Sequence, residues 1–337
     1  MVKKLLSVLA GEAISPPPIW LMRQAGRYLP EYRALRAKAP DFVQFCLNPE
    51  LATEVTLQPV RRFGLDAAIL FADILLVPHA LGQKLWFAEG EGPRLEPLRN
   101  SQDIAALRYD AEKLSPVMST IRGARDALDG DTALIGFAGA PWTVAMYMIE
   151  GKGGTDHETI RSWARTEPAS FARLMDVLVD ATSGYLIAQA DAGAEALQLF
   201  ESWAATVPEE LFERIVLEPT SRIVAAVKAK HPRLPIIGFP RGAGAWLSRY
   251  AKATGVDGVG VDQATDIVSL ALPARIARQG NLDPVLLLEG GDAMRAEVRR
   301  LVSAMRGKPF IFNLGHGVLQ PTPPEHVADL IATVRAA

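Results

Sequence analysis

The chain has 337 residues, 49% of them apolar, which is enough to bury a large core, and its length suits one large domain or two ordinary ones. A formal net charge of −2 argues against nucleic acid or an anionic membrane as a bulk partner, so any affinity for anions is local. The single cysteine, Cys46, excludes an internal disulfide and any C-x-x-C motif, fits a reducing cytoplasm, and reads as a small buried hydrophobe.

The run KKLLSVLA at residues 3–10 begins like a signal peptide, but Gly11 and Glu12 cut it short. No stretch approaches the roughly 18 uninterrupted apolar residues of a membrane helix, so no transmembrane segment is expected. Short apolar runs bounded by Gly, Pro or Asp then alternate with longer helical patterns, the mark of βα units. The expected strands are residues 18–22, 67–71, 133–137, 196–200, 235–239, 258–261, 276–279 and 309–312. Eight such strands predict an α/β fold of the (β/α)8 TIM type, closed as a parallel barrel. The run at 276–279 is short and partly polar, and is the weakest of the set. Between strands, Phe171, Leu174, Leu178, Tyr185 and Leu186 recur near the helical period, predicting a helix over 171–189. The Gly-, Pro- and charge-rich stretch 77–98 predicts a hairpin inserted after the second strand. No linker or repeat divides the chain, so residues 1–337 are expected to form one domain.

In such a barrel the active site is built at the carboxyl ends of the strands, and polar residues fall there in series. Arg23 follows the first strand, Asp73 the second, Ser202 the fourth, Arg241 the fifth, Asp262 the sixth, Asn281 and Asp283 the seventh, and His316 the eighth, with Tyr147 in the helix after the third. Arg23 and Arg27, four residues apart, are a fork for carboxylates, and Gly26 between them allows close backbone approach. An ion-paired surface with Glu31 or Glu50 is the plain alternative, and Pro30 is expected to stop any helix at this turn. Asp73 ends the apolar run AAILFAD, which draws its carboxylate into a sparsely hydrated pocket needing a cation or N–H donors; a turn acceptor is the competing reading. Asp262 and Asp283 read as turn or capping groups. Tyr147 and Ser202 read as core or capping hydroxyls, and Phe137 and Phe200 as core or pocket-lining rings. GKGG at 151–154 reads as a helix stop, and RGAGAWL at 241–247 lacks the third glycine of a dinucleotide fingerprint.

Two segments carry a resemblance to a known family. RQAGRYLPEYR with its preceding IWLM, and GFAGAPWTVAMYMIEG from Gly136 to Gly151, resemble the two signatures of the uroporphyrinogen decarboxylases. The likeness continues through FADILLVPHALG around Asp73, GNLDP at 280–284 and NLGHG at 313–317, and so covers essentially the whole chain. It implies a cytoplasmic enzyme of haem biosynthesis that converts the four acetates of uroporphyrinogen III to methyls, giving coproporphyrinogen III. It also implies a homodimer with facing clefts. By the same resemblance Asp73 gathers the pyrrole N–H groups of the tetrapyrrole and Arg23 is the proton donor, although a guanidinium is a poor general acid. Residues Arg23, Gln24, Ala25, Gly26 and Arg27, with Phe137, Tyr147, Phe200, Ser202 and His316, belong to the substrate pocket. Departures from the family pattern stand at Ala205, commonly glycine, and Gln263, often tryptophan.

No sequence motif for pyridoxal phosphate, thiamine diphosphate or a metal is present, so no cofactor and no metal site are expected, and the substrate must be its own electron sink. A methyltransferase of similar fold, with zinc held by histidine and cysteines, is the nearest rival, and one cysteine does not supply that site. A non-catalytic tetrapyrrole carrier is the other.

Overall fold

The computed structural model describes residues 2–88 and 92–337. Among the described residues there are nine strands: β1 (Ala67–Ile69), β2 (Leu85–Ala88), β3 (Gly92–Leu95), β4 (Ala133–Gly139), β5 (Ala196–Glu201), β6 (Ile236–Pro240), β7 (Gly258–Gly260), β8 (Ala277–Leu282) and β9 (Phe310–Leu314). Seven of them form one parallel sheet in the order β1-β4-β5-β6-β7-β8-β9, while β2 and β3 pair antiparallel as a separate hairpin. Helices connect the parallel strands except β7 and β8, which residues 261–276 join without one. The longest, Pro168–Ala192, opens on a proline and ends at left-handed Gly193, and it buries Phe171, Leu174, Leu178, Tyr185 and Leu186 as its periodicity predicts.

The expected first strand is reduced to a seam. Ile19 bridges Phe312 in parallel; the Phe312 N–H donates to the Pro18 carbonyl at 2.9 Å, and Trp20 N–H to the Phe312 carbonyl at 3.4 Å. On its other side Asp66 N–H donates to the Ile19 carbonyl at 2.9 Å, and Ile19 N–H turns to the Asp66 carboxylate at 2.8 Å. The segment thus bonds to β9 and to the residue before β1, filling the gap between the sheet's two edges. Three consecutive prolines, Pro16 to Pro18, supply no N–H to a ladder, and a side chain takes the donor of Ile19; both keep the segment from being a full strand.

Inside the curled sheet, Trp20, Ala67, Ile135, Ile237, Phe239 and Ile311 share one buried cluster with Leu5, Val8 and Leu9 of the helix Lys4–Leu9. That helix seals the amino end: Lys3 binds the Thr132 carbonyl and Glu195 at 2.7 Å each, and a side chain at Gly258 would meet Leu9. The cleft is left at the opposite, carboxyl end. Polar atoms in the interior are chained: Trp20 Nε1 donates to Gln279 Oε1, and Gln279 Nε2 to Gln198 Oε1, both at 3.0 Å. This explains the polar β8, whose Arg278, Gln279 and Asn281 are all buried.

Two local expectations are corrected. Pro30 does not stop a helix but begins one, Pro30–Arg36, because a first-turn proline forfeits no hydrogen bond. The stretch 77–98 is not hairpin throughout: it starts inside the helix Leu76–Ala80, and pairing runs only from Leu85 to Leu95, with the tip at 89–91 outside the described residues.

Candidate active site

Arg23 leaves the seam with φ +60, a left-handed conformation uncommon for a residue with a side chain. The turn is held from below by Gln24. Its buried amide accepts from Leu21 N–H at 3.1 Å and donates to the Ala67 carbonyl of β1 at 3.2 Å, while the Gln24 carbonyl accepts from Tyr28 Oη at 2.8 Å. Gln24 therefore pins the turn to the barrel. Ala25 and Gly26 are half-buried, and Gly26 is needed because a Cβ there would stand 3.2 Å from the Arg23 carbonyl.

Arg23 and Arg27 are exposed, and among the described residues neither guanidinium has an ion pair or hydrogen bond with the protein. Glu31, the partner weighed for them, binds Arg62 at 3.1 Å instead. The two cations are available to a ligand.

Asp73 satisfies both readings of the sequence. One carboxylate oxygen accepts from Leu75 N–H at 2.8 Å, a turn bond, while the other has no protein partner among the described residues. Burial raises its pKa above the usual carboxylate range, against the Leu75 N–H and the Arg23 charge, which both lower it. The free carboxylate oxygen of half-buried Asp73 is open to a donor that the protein does not provide.

His316 faces the same space. Its ring lies nearly parallel to Phe239, 6.5 Å away, and its Nδ1 is buried without a partner. Burial, then Arg23 and Arg241, push its pKa down to about 4, so at neutral pH it is an uncharged imidazole. Tyr147 lies half-buried on the helix Pro141–Glu150; its pKa is raised by burial, with nearby Trp203 and Arg23 lowering it and Asp73 raising it. Phe137 and Phe200 meet edge to face at 5.5 Å, and Phe200 meets Phe239 likewise at 6.1 Å, so a line of rings crosses from β4 to His316. Ser202 stands half-buried immediately after β5.

Other carboxyl-end groups are structural. Asp262 accepts from Gly242 and Ala264 N–H at 2.9 Å each, Asn281 donates to the Asp262 and Thr265 carbonyls, and Asp283 caps the helix Pro284–Glu289 through Val285 N–H. Among the described residues no three His, Cys, Asp or Glu side chains gather as a metal site. Arg241, named in the sequence at the end of the fifth strand, has a charge that reaches His316. Sequence reasoning passed over Glu201, fully buried between Phe200 and Ser202 and visible as an acid closing an apolar strand.

Arginines without a protein partner, a carboxylate with one free oxygen and a line of aromatic rings on a parallel barrel-type sheet mark an α/β barrel enzyme. Comparison with known proteins gives the lineage. The chain belongs to the uroporphyrinogen decarboxylase (URO-D) family, whose profile matches residues 2–337. It is 53% identical to a uroporphyrinogen decarboxylase of Rhodospirillum rubrum over 99% of this chain and 97% of that one. It is 51% identical to one of Gluconacetobacter diazotrophicus, over 99% and 98%. Among solved structures, a methyltransferase from Methanosarcina mazei shares the fold, with TM-score 0.81 at 20% identity over 99% of this chain and 97% of that chain.

Proposed function

We propose that the chain is an enzyme of tetrapyrrole biosynthesis that decarboxylates the four acetate side chains of uroporphyrinogen III to methyls, yielding coproporphyrinogen III. The observation that carries this reading is the pairing of Asp73, with one carboxylate oxygen free in the cleft, with Arg23 and Arg27, whose guanidiniums have no protein partner. Family membership and full-length identity near 50% support it.

Loss of CO₂ leaves an electron pair that must be delocalised. A pyrrole protonated on a ring carbon next to nitrogen is a cation that receives that pair, so the substrate supplies the sink without a cofactor. Asp73 then acts on charge that develops during reaction: at ~4 Å and an effective dielectric of ~20, an anion stabilises the cation by about 4 kcal/mol before desolvation is counted. Arg23 and Arg27 grip carboxylates other than the reacting one, since tight pairing with the leaving carboxylate would stabilise the ground state. Tyr147, Ser202 and the neutral His316 complete the polar contacts, with Phe137 and Phe200 as the apolar lining. The protein works as one barrel domain, as a homodimer in the cytoplasm, and Arg23 is the candidate proton donor.

The test is anaerobic incubation with uroporphyrinogen III and chromatography of the products by carboxyl number. Stepwise appearance of less carboxylated porphyrinogens, undiminished after chelation and dialysis, is expected. Binding without turnover would make the chain a carrier, and activity restored only by an added metal or cofactor would remove the electron-sink mechanism.

A further inference from the structure

Glu201 closes β5 with no surface exposed, although its neighbours Phe200 and Ser202 are only half-buried. Its carboxylate is taken up by the start of the helix Pro141–Glu150, accepting from Trp142 N–H at 3.2 Å, from Thr143 N–H at 2.7 Å and from the Thr143 hydroxyl. The helix has no side-chain cap of its own, because its N-cap is Ala140. A carboxylate from the neighbouring strand serves instead, where the helix dipole favours negative charge.

Two hydrogen-bond paths run on from this point and converge. Thr143 Oγ1, after donating to Glu201, accepts from Trp203 N–H at 3.2 Å. Trp142 Nε1 donates to Thr206 Oγ1 at 3.1 Å, and that hydroxyl donates to the Trp203 carbonyl at 2.7 Å. Both backbone polar groups of Trp203 are thereby fixed to the first turn of the helix. The indole of Trp203 packs 4.8 Å from the ring of His157 and lies near enough to Tyr147 to oppose the rise that burial gives its pKa. Ser202 is caught between Glu201 and Trp203 in sequence, and Tyr147 sits one turn along the helix whose start Glu201 holds.

We propose that Glu201 is a positioning residue for the substrate contacts, setting Ser202 and Tyr147 relative to each other through Thr143 and Trp203. The proposal rests on the assignment of Tyr147 to the substrate pocket made above. It gives Glu201 no contact with substrate. A single buried carboxylate holds the strand end and the helix that carry the two hydroxyls in one register, and a hydroxyl misplaced by a fraction of an ångström loses its hydrogen bond.

The test is a double-mutant cycle on purified enzyme. Glu201→Gln keeps the shape but turns an N–H₂ group toward the helix N–H donors. It should raise KM about tenfold with a smaller fall in kcat. Combined with Tyr147→Phe, the two losses should fall short of their product by at least about fivefold; combined with Arg27→Ala, on a different wall, they should multiply to within about twofold. Independent multiplication with both partners, or unchanged kinetics, overturns the proposal. Should Glu201→Gln not fold, Thr143→Val severs the path to Trp203 while leaving the backbone donors on Glu201, and it is put through the same cycles with the same expected and overturning results. A crystal structure of the variant used is read independently of turnover. Tyr147 and the Ser202–Trp203 turn displaced is the expected result, and both in their wild-type places overturns the proposal even if the function assigned to the cleft is wrong.

Discussion

Arg23 rests its side chain against Gly317: a Cβ at position 317 would stand 2.3 Å from Arg23 Cδ and 2.6 Å from Cγ. The glycine is thus required for the place it leaves to the arginine and not for its own backbone, since its φ is not among the left-handed ones. Gly317→Ala should push the guanidinium off this wall, raising KM about tenfold while thermal stability changes little. Steady-state kinetics beside a melting curve checks it; a large loss of melting temperature with unchanged KM would refute it.

Asp73→Asn should separate function from stability. The amide keeps the acceptor for Leu75 N–H and loses the charge, so turnover should fall on the order of a thousandfold while binding persists. The native carboxyl binds its proton more tightly than the unfolded one, so ionisation costs stability as pH rises through and above the ordinary aspartate range. The variant, which does not ionise, should melt higher than wild type at neutral pH and approach it near pH ~4. Arg27→Ala is the contrast, weakening binding with little effect on turnover.

Glu201 carries a similar signature. Burial lifts its pKa to about 7 although the Thr143 hydroxyl and the Trp142 and Thr143 N–H groups all lower it. Of the titratable groups near it, Tyr250 feels its charge, and that phenol is itself raised by burial. Between about pH 4.5 and pH 7 the native state holds a proton that the unfolded state has released, so stability should decline across that window by about 3 kcal/mol and then level off. Denaturant unfolding at a series of pH values should show that slope in wild type and a flatter one in Glu201→Gln.

The oxidation state of the ligand should decide turnover. In a porphyrinogen the pyrroles are joined by saturated carbons and tilt so that several N–H groups point at one carboxylate. An oxidised porphyrin is flat, keeps two inner N–H groups turned to its centre, and resists protonation of a ring carbon. Uroporphyrinogen should be consumed and uroporphyrin left untouched under the same anaerobic conditions, and Asp73→Asn should narrow the difference in their binding. Equal decarboxylation of both would end the mechanism.

The sequence is legible where a residue's surroundings are local to it. Each of the seven sheet strands overlaps its expected run, because a buried parallel strand is a short apolar stretch between breakers, as in Ala133–Gly139. Even partly polar β8 was placed, though its reason, the Gln198–Gln279–Trp20 chain, joins residues far apart in sequence. For Asp73 the turn reading was legible beside it, and its bond from Leu75 N–H bears that out. Glu201 escaped because its partners lie 58 and 59 residues away, so nothing adjacent marks it as a cap. The freedom of Arg23 and Arg27 was equally out of reach, for it depends on Glu31 choosing Arg62.

The seam at residues 18–22 has a consequence for synthesis on the ribosome. The backbone of Met22, which leads into Arg23, is fastened to the side chain of Asn313 at 3.0 Å across 291 residues of chain, and Ile19 bridges Phe312. The arginine wall is therefore translated first, with its bonds to Asp66 and Ala67 soon at hand and its second side fastened nearly last. Until β9 has left the ribosome, Trp20 and Met22 lack their partners Phe312 and Asn313, and closing so long a loop adds an entropic cost that local helices do not carry. The nascent polypeptide must hold this apolar, doubly cationic stretch in solution through most of its synthesis, a natural hold for a chaperone, and the cleft becomes competent only when the two ends of the barrel meet.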